Sequence, residues 1–132
     1  MRNKKELFSS GAQWENIVGY SRAVKVGNVI EISGTTAVDG NVVVGKGDIY
    51  AQAVFIFKKI EKVLTEAGSS LQDVVRTRMY VTDILKWEQA GKAHSLFFNE
   101  IKPATTMIEV SKLINEDLLI EIEISAIITD ET

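Results

Sequence analysis

The sequence contains no cysteine, one proline and one histidine. The first absence removes disulfides, zinc–thiolate sites and a thiol nucleophile. The lone histidine, His94, shares an apolar helical stripe with Ala90 and Phe98 and has no ligand partner at helical spacing. It reads as a packed, hydrogen-bonded structural group, so neither a Ser-His-Asp triad nor a metal site is expected. Gly45-Lys46-Gly47 lacks phosphate-loop spacing, and Asp48 puts negative charge at the helix start that follows. It reads as a turn, and no cofactor is expected. No apolar run approaches the ~20 residues a membrane span needs. The basic start, Met1 to Lys5, leads into Glu6-Leu7-Phe8-Ser9-Ser10, which is no signal-peptide core. A cytoplasmic protein without a membrane partner is the expectation. Basic residues do not predominate either: Lys plus Arg number 15 against 18 acidic residues, a net charge of −3. Lys4-Lys5, and Lys58-Lys59 with Lys62, read as solvated positives, and no aromatic-plus-basic surface suggests a nucleic-acid partner.

What is present suits one globular domain over residues 1–132. The chain is 45% hydrophobic and 25% charged, and this length buries roughly two-thirds of the unfolded surface. Residues 1–16 are polar apart from Leu7, Phe8 and Trp14 and read as an N-terminal arm. Strands are predicted at Tyr20–Val26 and Val29–Ser33 around a Gly27-Asn28 turn, and at Val42–Val44 after Asp39-Gly40-Asn41. From Asp48 to Ala67 the residues Ala53, Ile56, Phe57, Ile60, Val63 and Leu64 share one helical stripe, with Gln52, Lys58 and Lys59 off it. Asp48 suits the N-cap and Gly68 the stop. Val74–Thr82 reads as a long strand. Asp83 opens a second helix with Trp87, Ala90, His94, Phe97, Phe98 and Ile101 on one face. Thr105–Val110 and Leu118–Ile128 complete an α+β pattern whose two helices should share one sheet face. Trp14 and Trp87 read as core or interface packing, with Trp14 or Tyr20 as a pocket wall for a planar ligand the alternative.

Strand parity carries more information than composition. If the apolar positions face the helices, the other face gathers Glu31, Ser33, Arg76, Arg78, Tyr80, Glu109, Glu121 and Glu123. A solvated sheet face is one reading. A polar subunit interface or pocket is the other, since arginine suits carboxylate pairing at interfaces. Carboxylates outnumber arginines there, and one with a raised pKa can do proton chemistry.

In order along residues 18 to 128, the chain resembles the YjgF/RidA family (reactive-intermediate deaminase A). The resemblance rests on Tyr20-Ser21-Arg22-Ala23-Val24-Lys25-Val26-Gly27-Asn28, Ile32-Ser33-Gly34 and Asp48 to Ala51-Gln52. It continues through Ala67-Gly68-Ser69-Ser70-Leu71, Asp73-Val74-Val75-Arg76-Thr77, Tyr80-Val81-Thr82-Asp83, Phe97-Phe98, Pro103-Ala104-Thr105-Thr106, Glu109-Val110 and Ile120-Glu121-Ile122-Glu123. It implies a chorismate-mutase-like fold and a homotrimer with an inner β-barrel, outer helices and a small-molecule pocket at each subunit interface. The implied activity is hydrolysis of 2-imino or enamine acids, releasing ammonia. Family deaminases carry an arginine after Pro-Ala that grips the substrate carboxylate; here Thr105 occupies that position, and Met107 stands where cysteine or threonine is frequent. The water-handling glutamate matches Glu121, and the early tyrosine and strand serine match Tyr20 and Ser33. Losing a bidentate charged contact weakens anionic substrates. Arg78 either replaces that cation or is neutralised by Glu121 or Glu123. The resemblance therefore implies a hydrolase or deaminase with Glu121 catalytic and Tyr20, Ser33, Arg78, Thr105 and Met107 binding substrate. The alternatives are a non-catalytic metabolite-binding trimer and, on the family's older label endoribonuclease L-PSP, a nuclease or translation inhibitor.

Overall fold

Backbone pairing starts inside the segment expected to be an arm. In the computed structural model, which describes residues 4–130, β1 (Lys5–Phe8) lies antiparallel to β2 (Ala23–Val26). Between them runs the short helix α1 (Gln13–Val18), ended by Gly19 in the left-handed region at φ 90°. The arm is thus a sheet edge plus one helical turn and a half. Its first three residues, and the last two of the expected domain, lie outside the described residues.

β2 turns through Gly27-Asn28 into β3 (Val29–Thr36), as the turn chemistry predicts. β4 (Val38–Asp39) and β5 (Val42–Val43) form a separate two-stranded ribbon. The long helix α2 (Ile49–Glu66) follows, its N-cap Asp48 accepting from the Ala51 amide at 3.0 Å. After β6 (Val74–Val81), a 3-10 turn capped by Asp83 leads into α3 (Trp87–Phe98). β7 (Ala104–Glu109) and β8 (Ile120–Ile127) complete a six-stranded sheet of order β1-β2-β3-β8-β6-β7. Among the described residues only β6 and β7 are parallel, which the crossover through α3 requires. The helices α2 and α3 pack together on one face, where Ile30, Ile32, Met79, Ile122 and Ile124 meet Ile56, Phe57, Ile60 and Leu64. Among the described residues no helix is long and apolar enough to cross a membrane.

Two bulges change which side chains share a face. In β3 the register with β8 slips between Ile32 and Thr35, so Ile32 and Thr35 are both buried with Ser33 and Gly34 between them. In β6 a slip between Val74 and Arg76 leaves Val75 exposed, contrary to its expected place among the inward residues. β7 also has the opposite parity to that expected. Thr105 pairs with buried Thr77, and Glu109 with buried Val81, so Thr105, Met107 and Glu109 belong to the helix side. Thr106 lies on the open face, accepting a 2.7 Å bond from Arg76 Nη2. The strand's alternation alone is ambiguous because both of its faces carry threonine and an apolar residue.

Candidate functional site

The slip in β3 brings Gly34 against Glu121. Glu121 is the second residue of β8, directly across from Thr36 on one side and Tyr80 on the other. A Cβ added at Gly34 would meet the Glu121 carboxylate oxygen Oε2 at 2.0 Å. Only a residue without a side chain lets the carboxylate lie here. Glu121 and Gly34 line a cleft of about 900 Å³ with Tyr20, Arg22, Trp14 and Lys59, and also a smaller one of about 330 Å³ with Tyr80 and Glu123. Burial pushes the Glu121 pKa up; the Arg22 charge pulls it down and the Glu123 charge pushes it up, leaving it raised overall. A carboxyl group displaced toward neutrality in a cleft is equipped for proton transfer.

Arg22 organises the wall beside it. The residue is 7% exposed and sits just before β2. Its Nη1 donates to the Gly34 carbonyl at 2.7 Å and to Thr35 Oγ1 at 3.0 Å, and Nη2 donates to the Tyr20 hydroxyl at 3.3 Å. Nε faces Glu15 of α1 at 3.8 Å. Glu15, itself 5% exposed, accepts from Ser9 Oγ, Ser10 Oγ and the Ser10 amide. Burial pushes its pKa up, but these hydrogen bonds and the Arg22 charge outweigh burial and hold it below the usual carboxylate range. The N-terminal segment is thereby tied to the same guanidinium that braces Gly34.

Two α2 side chains sit differently from expectation. Gln52 is fully buried: it donates to the Asp117 carbonyl at 2.9 Å and accepts from the Leu119 amide at 2.8 Å, tying the loop before β8 to the helix start. Lys59 is half-buried rather than solvated, with Nζ donating to the carbonyls of Thr36 (3.2 Å) and Val38 (3.0 Å). Burial pushes its pKa down, as does the Arg22 charge, against an upward pull from Asp39. Both residues fall on one flank of the α2 stripe beside Phe55, a signal visible only once the cleft is known. Trp14 and Trp87 are 42% and 56% exposed, so neither is core; Trp14 instead lines the larger cleft.

Of the residues singled out from sequence, the chain brings Tyr20 and Glu121 into one cleft and places Ser33 beside it. Ser33 Oγ donates to the Ser21 carbonyl at 2.7 Å. Arg78 lies on the open face opposite Glu123, but the Glu123 carboxylate takes the Tyr80 hydroxyl at 2.5 Å instead. Among the described residues the ion pairs are Arg22–Glu15 and Lys46–Asp117, and Arg78 forms none within this chain. Thr105 and Met107 stand on the helix side of the edge strand β7, away from Glu121. Thr105 Oγ1 lies 2.8 Å from Thr77 Oγ1, 3.3 Å from His94 Nε2 and 3.1 Å from the Pro103 carbonyl. Met107 packs on the core. His94 also bonds Thr77 at 2.9 Å and packs against Phe57 and Phe98; burial pushes its pKa down. These contacts suit a structural histidine. Among the described residues, no group of three or more carboxylates and histidines is placed to hold a metal ion.

Comparison with known proteins bears on the family and the fold. The family model described as Endoribonuclease L-PSP matches residues 10–128. A RutC family protein of Pyrococcus abyssi is 41% identical over 123 residues, covering 91% of this chain and 94% of that one. A 3-aminoacrylate deaminase RutC of Acinetobacter baylyi is 33% identical over 104 residues, covering 78% and 82%. The crystal structure of Rv2704 from Mycobacterium tuberculosis, described as a member of the YjgF/YER057c/UK114 family, superposes with a TM-score of 0.87 at 43% identity, covering 95% of this chain and all of that one.

Proposed function

The chain belongs to the Endoribonuclease L-PSP family, also called YjgF/RidA, and from that premise we propose that it hydrolyses a small imine or enamine at a subunit-interface pocket. The observation that carries this reading is the Glu121 carboxyl, raised in pKa and seated on Gly34 within the Tyr20–Arg22 cleft. In the proposed step Glu121 takes a proton from a water as the water oxygen bonds to the imine carbon. The nitrogen takes that proton to give the carbinolamine, the carbinolamine hydroxyl proton then passes to the nitrogen by way of Glu121, the C–N bond breaks, and ammonia leaves behind a carbonyl product. The similarity to a 3-aminoacrylate deaminase supports the substrate class.

The pocket is proposed to form in a homotrimer. Thr105 is exposed on edge strand β7, on the sheet face opposite Glu121, so the two meet only when β7 comes from another copy. Arg78, open and without an ion pair among the described residues, is the proposed cation for an anionic substrate. Ser33 and Met107 are the remaining proposed pocket contacts.

The test is ammonia release from 2-imino acids generated in situ by an amino-acid oxidase. Glu121→Gln should lower it by ~100-fold or more, the usual scale of general acid–base catalysis. Thr105→Arg should raise activity on acidic imines. Light scattering should give three times the 14.6 kDa chain mass. A Glu121→Gln variant as active as the wild type overturns the reading. One observation favours a second reading: Thr105 is knitted to Thr77, His94 and Pro103 within its own chain, which suits a pocket that binds a metabolite without turning it over. That reading predicts no ammonia from either protein but retained ligand binding in Glu121→Gln.

A further inference from the structure

Arg78 stands between two polar cross-strand neighbours. Glu123 of β8 lies directly across from it on one side and Thr106 of β7 on the other. A glutamate opposite an arginine in an antiparallel pair is placed to join it, since opposite charges there attract. Among the described residues that ion pair is not made. Each neighbour is instead held by a residue two places from Arg78 on its own strand. The Tyr80 hydroxyl donates to Glu123 Oε1 at 2.5 Å, and Arg76 Nη2 donates to Thr106 Oγ1 at 2.7 Å. Glu121, directly across from Tyr80, sets its carboxylate against Gly34 of β3, on the side of β8 away from β6.

The half-buried Arg78 is thus left with its neighbours drawn off it. A guanidinium presents a rigid fork of N–H donors that fits the two oxygens of a carboxylate. Tyr80, Glu121 and Glu123 line the smaller cleft together, and Arg78 stands next to two of them. Tyr80 is the residue on which this openness turns. Its hydroxyl is a neutral donor, so Glu123 keeps its negative charge while being held. Without that hydroxyl, the cation directly across the ladder is the partner left to Glu123.

We propose that Tyr80 is a positioning residue that draws Glu123 off Arg78 and so holds the guanidinium open for the carboxylate of a small 2-keto or 2-imino acid. Turnover of the 2-imino acid rests on the imine-hydrolase reading; capture of the 2-keto carboxylate does not. Tyr80 sets specificity through its neighbour: its hydrogen bond decides whether the site accepts an anion.

The experiment titrates the full chain with pyruvate and with its neutral counterpart pyruvamide at pH 7 and low salt, followed by NMR of the arginine Nε–H groups. In the wild type, pyruvate should shift the Arg78 resonance and bind ~10-fold or more tighter than pyruvamide, the scale of a charge-assisted contact. Arg78→Met should abolish that preference. Tyr80→Phe should weaken pyruvate by ~3–5-fold, the strength with which a cross-strand ion pair competes, and leave pyruvamide unchanged. Adding Glu123→Gln to Tyr80→Phe should restore at least the wild-type affinity, a rescue that a purely structural tyrosine would not show. Circular dichroism and light scattering confirm that each variant keeps its fold and assembly. Equal affinity for pyruvate and pyruvamide, or a preference that survives Arg78→Met, overturns the proposal. So does a Tyr80→Phe protein that binds pyruvate like the wild type, or a loss that Glu123→Gln does not rescue. Ammonia release from 2-imino acids with an unchanged KM in Arg78→Met overturns it while leaving the hydrolase reading standing. Pyruvate binding in the expected pattern without ammonia release from any imine supports it and counts against the hydrolase reading alone.

Discussion

Replacing Gly34 by alanine should separate the proposed catalytic carboxylate from the fold. The added methyl would lie 2.0 Å from Glu121 Oε2, 3.0 Å from its Cδ and 3.3 Å from its Cγ. Ordinary contact begins near 3.4 Å, so the oxygen must retreat by about 1.4 Å. Gly34 is not among the residues with positive φ, so the alanine backbone itself is unstrained. The displaced atom ends a flexible side chain, and an off-rotamer shift costs only ~1 kcal/mol. That corresponds to a fall of about 3–5 °C in Tm for a domain of this size. Catalysis should suffer more. A displacement on the 1 Å scale costs ~100-fold in rate, or ~2.7 kcal/mol in the barrier. Two assays read this: ammonia release for the rate, and carboxyl 13C NMR for the Glu121 titration. Pushed toward solvent, Glu121 loses the burial that raises its pKa, so its titration should move down toward the ordinary carboxylate range. A Gly34→Ala protein with wild-type turnover and an unshifted Glu121 would refute the argument. So would loss of turnover accompanied by global unfolding.

Stability against pH offers a second check. Because the folded pKa of Glu121 is raised, the folded state binds its proton more tightly than the unfolded state does. Its stabilising contribution is present at low pH and is lost as pH rises through the folded value. Glu121→Gln should therefore be more stable than the wild type at pH 7 and equal to it near pH 3, as read by urea midpoints; a less stable variant at pH 7 contradicts the burial argument. Arg22→Met should cost ~3 kcal/mol in chemical denaturation, because it leaves buried Glu15 without its counter-charge and the Gly34 carbonyl without its donor. A loss under ~0.5 kcal/mol would mean that the guanidinium is not the cross-link described here.

Elements whose local chemistry matched their final state were legible from sequence. Asp48 caps α2, Gly27-Asn28 turns the hairpin, and the stripe from Ala53 to Leu64 is the buried face of the long helix. The residues of the site were only partly legible. Tyr20 and Glu121 lie in one cleft, but Gly34 acquires its meaning from a register slip that no alternation pattern announces. The parity of β7 is not legible locally because it is fixed by its parallel partner β6, a long-range contact. The N-terminal strand leaves little trace in the sequence because an edge strand with one paired side needs little apolar patterning. Gln52 and Lys59 look like solvent-facing polar residues because their partners are backbone amides and carbonyls, which every sequence has everywhere.

The Arg22–Glu15 contact has a consequence for how the cleft is tuned. Arg22 is a counter-charge divided between two carboxylates, one on α1 and one on β8. The more of its field Glu15 absorbs, the less remains to stabilise ionised Glu121. The proton affinity of the cleft is thus set partly from the chain's first fifteen residues. Shortening or loosening that segment would make Glu121 a weaker base while leaving every residue around its carboxylate unchanged.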